Sequence, residues 1–140
     1  MKQRFPALIA ALWWGSLSTI GFLVVPLLFA KLPTLAMAGH MAATLFAAQT
    51  WVSVACGLLL LLLSRSKQTQ SLADWAQDAI IFIVLGLLLA LLSQFAVAPR
   101  IVARENLELW HSVGSVMYLA QWACAGVVLW QLVSCFRQSG

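Results

Sequence analysis

Residues 79–99 read AIIFIVLGLLLALLSQFAVAP, a run that contains no acidic or basic side chain. A helix needs about 20 predominantly apolar residues to cross the roughly 30 Å hydrocarbon layer of a bilayer. Residues 5–30, 32–64 and 109–136 are equally free of Asp, Glu, Lys and Arg. Each run is long enough for one crossing and too short for two crossings joined by a turn. The sequence therefore predicts four transmembrane helices.

The overall composition leads to the same conclusion. Of the 140 residues, 63% are hydrophobic and only 9% are charged, and the mean hydropathy is +0.95. Soluble domains are about half apolar and about a quarter charged. A soluble fold of this size leaves too much of its surface in water to hide so many apolar side chains. Membrane strands would need alternating residues and a closed barrel, so we expect helices.

We predict one all-α domain spanning residues 1–140, a four-transmembrane-helix bundle in up-down-up-down order. Its helices are expected at about 6–29, 35–63, 73–97 and 107–135. Cytoplasmic loops of membrane proteins carry an excess of Lys and Arg. The side with the larger excess holds Lys2, Arg4, Arg65, Lys67 and Arg137. The other side holds Lys31, Arg100 and Arg104. Both termini are therefore predicted to be cytoplasmic, in a bacterial inner membrane.

The charges and cysteines limit the classes of partner. The net charge is +4, but no basic run is interleaved with aromatic residues, so we expect no nucleic acid. The predicted partners are membrane lipids, further copies of the chain, or a larger membrane complex. Cys56, Cys124 and Cys135 are odd in number and lie in apolar segments without a C-x-x-C motif. They are interpreted as small buried hydrophobes, with a disulfide or a thiolate metal site as the alternative.

The two histidines are the candidate cofactor ligands. His40 and His111 should lie near the outer surface, at the starts of the second and fourth helices. Two imidazoles at similar depth could hold a haem iron or share a copper ion. Met37 and Met41 share a helix face with His40, and Met and His suit copper(I). The alternative is structural: Met fills gaps in apolar helices, and an interfacial His serves hydrogen bonding or a response to protons.

A polar stripe on the fourth helix suggests a second kind of site. We predict a small polar cavity, open to the outside, formed by His111, Ser115, Tyr118, Gln121 and Gln94. Polar side chains in lipid turn toward other helices and bond there, so helix packing explains the same stripe without a cavity.

The two halves of the chain resemble one another in where a proline and a histidine are placed, and we call this similarity the echo. Pro26 and Pro99 each close an outward-going helix, and each is followed by a short connection and a helix that starts near a histidine. A duplicated helical hairpin and coincidence both explain the echo. Each proline should kink or end its helix, because it lacks an N–H and clashes with the preceding turn.

Known catalytic motifs are missing from the sequence. There is no G-x-S-x-G, H-E-x-x-H, P-loop or G-x-G-x-x-G, and no pair of carboxylates falls in a predicted cavity. We therefore predict no catalytic residue and favour a protein that is not an enzyme.

Short motifs along nearly the whole chain resemble a known family. They are LWWG at 12–15, VPLLF at 25–29, PRI at 99–101 and LWHS at 109–112, with Ala38-Gly39, Phe46 and Ser115. Together they resemble an uncharacterised bacterial membrane family, the domain of unknown function 4149, which is similar to eukaryotic transmembrane protein 205. His40 stands where that family has no histidine, so the resemblance does not extend a ligand role to it.

The resemblance implies a four-helix membrane protein without an established activity. The eukaryotic relative is associated with drug resistance and vesicle trafficking, which implies a small transport, export or accessory component. A more distant likeness to copper-resistance D-type membrane proteins and to haem-dependent protoporphyrinogen oxidases implies the alternative, a membrane redox protein. No cofactor is predicted under the first interpretation, and haem b or copper under the second.

Overall fold

The computed structural model describes residues 4–65 and 70–138, apart from the side chains of residues 70–75 and 136. These residues are almost entirely helical and contain no strand. Six α-helices follow in order: α1 Phe5–Ser18, α2 Val25–Lys31, α3 Leu35–Ser64, α4 Gln70–Leu92, α5 Ala98–Val102 and α6 Leu107–Gln138. Two π-helical segments, Thr19–Val24 and Ser93–Val97, join α1 to α2 and α4 to α5.

Four continuous stretches of helix are long and apolar enough to cross a membrane. These spans are Phe5–Lys31, Leu35–Ser64, Ala76–Val102 and Leu107–Cys135. The first span comprises α1, a π segment and α2, and the third contains most of α4 with the second π segment and α5. The prediction of an all-α, multi-pass membrane protein is thereby confirmed.

Local features of the backbone and of one side chain mark where the spans begin and end. The α3 helix is capped by Thr34, whose hydroxyl oxygen accepts the N–H of Met37 at 3.2 Å. Capping of this kind satisfies one of the N–H groups that a helix start leaves unpaired. The connection from α5 to α6 turns through Arg104 and Asn106, which have positive φ angles of 56° and 37°. Following the predicted orientation, we call the end that holds Thr34 and Arg104 the outer end and the end that holds Phe5 the inner end.

Pro26 and Pro99 each follow a π segment. In front of Pro26, the N–H of Val25 donates to the carbonyl oxygen of Ile20, five residues earlier. In front of Pro99, the preceding residue makes the same bond to Ser93. Proline lacks an N–H, and its ring presses on the carbonyl four residues earlier. The wider π turn accommodates this defect, so each helix continues past its proline rather than ending there.

Matching sequences surround the two π segments. Phe22-Leu-Val-Val-Pro26 and Phe95-Ala-Val-Ala-Pro99 share Phe, Val and Pro at corresponding places. At the same spacing, buried residues of the first span match buried residues of the third: Ala10 with Ile83, Trp13 with Gly86, and Leu17 with Ala90. At a spacing one residue shorter, the second span matches the fourth: Gln49 with Gln121, Ser53 with Ala125, Cys56 with Val128, and Leu60 with Leu132.

Trp13 is in direct contact with its match Gly86, and Phe46 is in contact with Tyr118, which lies at the same spacing from it as Gln121 from Gln49. A Cβ atom on Gly86 would lie 2.9 Å from the ring of Trp13, and the rings of Phe46 and Tyr118 meet with centroids 5.2 Å apart. Equivalent residues of two repeats touch one another only close to the axis that relates the repeats. The two helical hairpins of the chain therefore contact one another at corresponding positions.

The spans pack in a closed ring. The first span contacts the second and the fourth, and the third span also contacts the second and the fourth. The centre of this ring is filled by apolar side chains from all four spans: Ile9, Ala10, Trp13, Leu17, Cys56, Leu60, Ala76, Ala79, Ile83, Ala125, Val128 and Leu132. Small residues allow close packing here, since a Cβ on Gly57 would lie 2.5 Å from the side chain of Leu87.

Candidate functional site

The two histidines lie on exposed surface near the outer end. His40 is in the second turn of α3 and His111 is in the second turn of α6, and both side chains are exposed. In the part of the chain that the structure describes, no group of three or more His, Cys, Asp or Glu side chains could hold a metal ion. Methionine is a further side chain that can bind a soft metal ion.

Methionine does share a face with His40. Met37, His40 and Met41 line an open depression of about 360 Å³ together with Ala36 and Thr44. Met37 and Met41 are each about half exposed. All five lining residues come from the first turns of α3. The face offers soft ligands at helical spacing on an open surface.

The residues of the predicted outward-open cavity differ in how deeply they are buried. His111 and Ser115 are exposed, Gln94 and Tyr118 are half-buried, and Gln121 is buried. Tyr118 and Gln121 are hydrogen-bonded to residues of other spans. The Tyr118 hydroxyl donates to the carbonyl oxygen of Leu17 at 2.7 Å, and the Gln121 amide donates to the Ser53 hydroxyl at 2.8 Å. The cavity itself stays a prediction.

A layer of buried polar side chains crosses the middle of the spans. The Gln49 amide donates to the hydroxyl of Ser16 at 3.0 Å, and that hydroxyl donates to the carbonyl oxygen of Trp13 at 2.9 Å. Gln49 and Gln121 are only 2% and 3% exposed. Each lies close to the midpoint of its span, and each is the other's equivalent in the two hairpins. We define Trp13, Ser16, Gln49, Ser53 and Gln121 as the mid-membrane polar layer.

A second set of bonds ties the first span to the fourth beside this layer. The indole N–H of Trp122 donates to the Ser18 hydroxyl at 2.8 Å, which in turn donates to the carbonyl oxygen of Trp14 at 2.8 Å. The rings of Trp14 and Trp122 lie 5.6 Å apart, and Phe22 meets Trp122 edge to face at 5.5 Å. Bonds of this kind between spans fix the position of one helix against another.

Aromatic side chains close the mid-membrane polar layer on both sides. Ser16 lies three residues, or about 4.5 Å, outward of Trp13 along α1. Gln49 lies the same distance inward of Phe46 along α3. Because Gln49 bonds Ser16, that hydrogen bond lies between two contacts, Trp13 against Gly86 toward the inner end and Phe46 against Tyr118 toward the outer end.

Two polar atoms of the layer lack partners. The indole N–H of Trp13 and the side-chain oxygen of Gln49 are buried without a hydrogen bond to any described residue. Nearly all buried polar groups in proteins are hydrogen-bonded, to protein or to an ordered water molecule. One donor and one acceptor of the layer are therefore buried without a partner.

The sequence alone did not single out Gln49 or the complete burial of Trp13. A lone glutamine in the middle of an apolar run is the available signal for Gln49, because polar groups at such depth are costly and face other helices. Nothing in the sequence distinguishes Trp13 from Trp14, but the structure buries Trp13 completely and leaves Trp14 half-buried. The burial of Trp13 depends on Gly86, which lies in the other hairpin.

Comparison with known proteins places these features in a family. No match was found among curated proteins or among solved structures. One family profile, described as "Domain of unknown function (DUF4149)", matches residues 8–109. That range covers most of the chain, including Trp13, Ser16, Gln49 and Ser53 of the mid-membrane polar layer. The chain belongs to the DUF4149 family.

Proposed function

We propose that this protein is a small transport, export or accessory component of the bacterial inner membrane, and that it is not an enzyme. The observation that carries the proposal is the mid-membrane polar layer. Two buried amides, one from each hairpin, lie at the middle of the spans. Polar groups at this depth are expensive, and repeat-built transporters bind their substrates near the midplane, where the repeats meet.

We further propose that the protein works as a homo-oligomer or inside a larger membrane complex. In an apolar 18-residue stretch of each span, only 22% to 33% of the residues are buried within the protomer, so most of the helical surface faces lipid or partners. Large side chains such as Phe22, Trp51 and Phe95 are exposed there. Four short spans also leave little room for a path through one protomer. The resemblance to transmembrane protein 205 supports export as the role.

Solute flux tests the transport role. Proteoliposomes that contain the full chain should equilibrate glycerol faster than protein-free liposomes after an osmotic step, measured by light scattering. Gln49→Leu should reduce the rate, because it removes the buried amide. Gln77→Leu is the matched control, since Gln77 is exposed on α4. A wild-type rate equal to that of protein-free liposomes would argue against transport.

Particle mass and co-purification test the accessory role. The mass of the protein extracted from membranes with its surrounding lipid should correspond to several copies, or to a complex with other proteins. A stable monomer of the chain's own mass, 15.3 kDa plus lipid, would contradict both forms of assembly.

The redox alternative has one specific observation in its favour. Met37, His40 and Met41 line a common depression, and soft thioether and imidazole ligands suit copper(I). A purified protein that binds one copper ion, and loses it on Met41→Leu, would support this alternative. A Soret band that disappears on His111→Ala would instead support haem. A colourless, copper-free protein would remove both.

A further inference from the structure

We infer that the mid-membrane polar layer is a binding site for a small uncharged guest that carries a hydroxyl or amide group. The claim that this guest is transported rests on the proposed transport function. The claim that it binds in the layer has a test of its own.

The unpaired atoms define the chemistry of the guest. The indole N–H of Trp13 can only donate, and the side-chain oxygen of Gln49 can only accept. A guest that satisfies both must itself accept one hydrogen bond and donate another. Alcohols and primary amides do so with a single functional group. Ser16 joins the two residues, because its hydroxyl accepts from Gln49 and donates to the backbone of Trp13.

The lack of charge in the layer sets the second requirement. Its five members carry indole, hydroxyl and amide groups. The charged side chains Lys31, Arg65, Asp78 and Arg100 lie within a few residues of the span ends. An ion brought to mid-depth would lose its hydration without gaining a counter-charge, which costs far more than moving a neutral polar group. The layer therefore favours neutral guests over anions and cations.

The closures of the layer adjoin the irregular parts of the helices. Tyr118 packs on Gly21, which belongs to the first π segment, and a Cβ there would lie 2.5 Å from the ring. On the other hairpin, Val97 of the second π segment packs near Gly114, with 3.4 Å to a Cβ at that glycine. Both π segments thus contact α6 on the outer side of the layer.

Thiol accessibility tests the site directly. The background is the full chain in lipid nanodiscs with its three cysteines replaced by alanine and its unfolding transition verified. Ser53→Cys and Ser16→Cys each place one thiol in the layer, and Leu60→Cys places one in the buried apolar core of α3 as a control. The probe is methyl methanethiosulfonate, which reacts with the thiolate and therefore needs a polar, hydrated path.

The expected result is faster modification of at least one layer thiol than of the Leu60→Cys control. Acetamide and glycerol should slow that modification severalfold, whereas acetate, the charged analogue of acetamide, should leave it unchanged. Equal rates at layer and control positions would overturn the inference, and so would modification that is indifferent to acetamide and glycerol, as expected for a layer that admits water only. If acetamide and glycerol protect the thiol but glycerol flux is absent, the binding site is supported and transport is rejected. If glycerol flux occurs without such protection, transport is supported and the binding site is rejected.

Discussion

Phe46 and Tyr118 occupy equivalent positions in the two hairpins and meet edge to face, with ring centroids 5.2 Å apart at 68°. The same tyrosine donates its hydroxyl to the carbonyl oxygen of Leu17. One side chain from α6 is therefore fixed by both the first and the second span. This arrangement closes the polar layer on its outer side and leaves the tyrosine ring little freedom to move.

The fixed ring makes Gly21 intolerant of a larger side chain. A Cβ at Gly21 would lie 2.5 Å from the Tyr118 ring, which its hydrogen bond and Phe46 prevent from retreating. Gly21→Ala should lower the free energy of unfolding by about 1–3 kcal/mol through overpacking. Gly15→Ala on the same span is the control, because open space surrounds that position. Unfolding in mixed micelles measures both, and equal stability of the two variants would contradict the close contact.

The bond from Trp122 to Ser18 should couple the first and fourth spans. A double-mutant cycle with Trp122→Phe and Ser18→Ala isolates its contribution from the lost ring packing. Hydrogen bonds between membrane helices average about 0.6 kcal/mol and reach about 1.7 kcal/mol. We expect a coupling free energy within that range. Additive effects of the two substitutions would show that the 2.8 Å bond contributes nothing to stability.

The prolines should be the cause of the π segments. Pro26→Ala restores an N–H and removes the ring, so the helix at Thr19–Val24 should relax to α-helical bonding. The new amide at position 26 should then be protected from hydrogen exchange. Pro99→Ala should do the same at the equivalent place in the other hairpin. Pro33→Ala, in the connection before α3, is the control. Retention of π geometry in both variants would assign its cause elsewhere.

The sequence was sufficient to predict the spans because the physical signal is local. Uncharged runs of bilayer length specify helices wherever they occur, and Thr34 marks the start of α3 through its own side chain. The prolines also identified irregular positions. A kink or an end of the helix was expected at Pro26 and Pro99; a π turn precedes each proline and the helix continues past it, so the expected end is wrong and the kink stays a prediction.

The polar layer was beyond prediction because it depends on pairs of distant residues. Tyr118 and Gln121 were expected to share an outer cavity, but their hydrogen-bond partners are Leu17 and Ser53 on other spans. No local pattern determines which face of one span meets which face of another. Gln49 and Gln121 lie at corresponding positions of the two hairpins, which could have pointed to the layer. The sequence motifs shared by the hairpins are short, however, and the correspondence of buried positions is visible only in the structure.

The most direct test of the four-span arrangement is to determine on which side of the membrane Arg65 and Arg100 lie. Arg65 follows the end of α3 at the inner end, and Arg100 lies in α5 at the outer end. Arg65→Cys and Arg100→Cys, each as the single cysteine, can be labelled with a membrane-impermeant thiol reagent in right-side-out and inverted vesicles. Four crossings with cytoplasmic termini predict labelling of Arg100→Cys only in right-side-out vesicles and of Arg65→Cys only in inverted ones. Labelling of both variants from the same side would contradict the four-span arrangement.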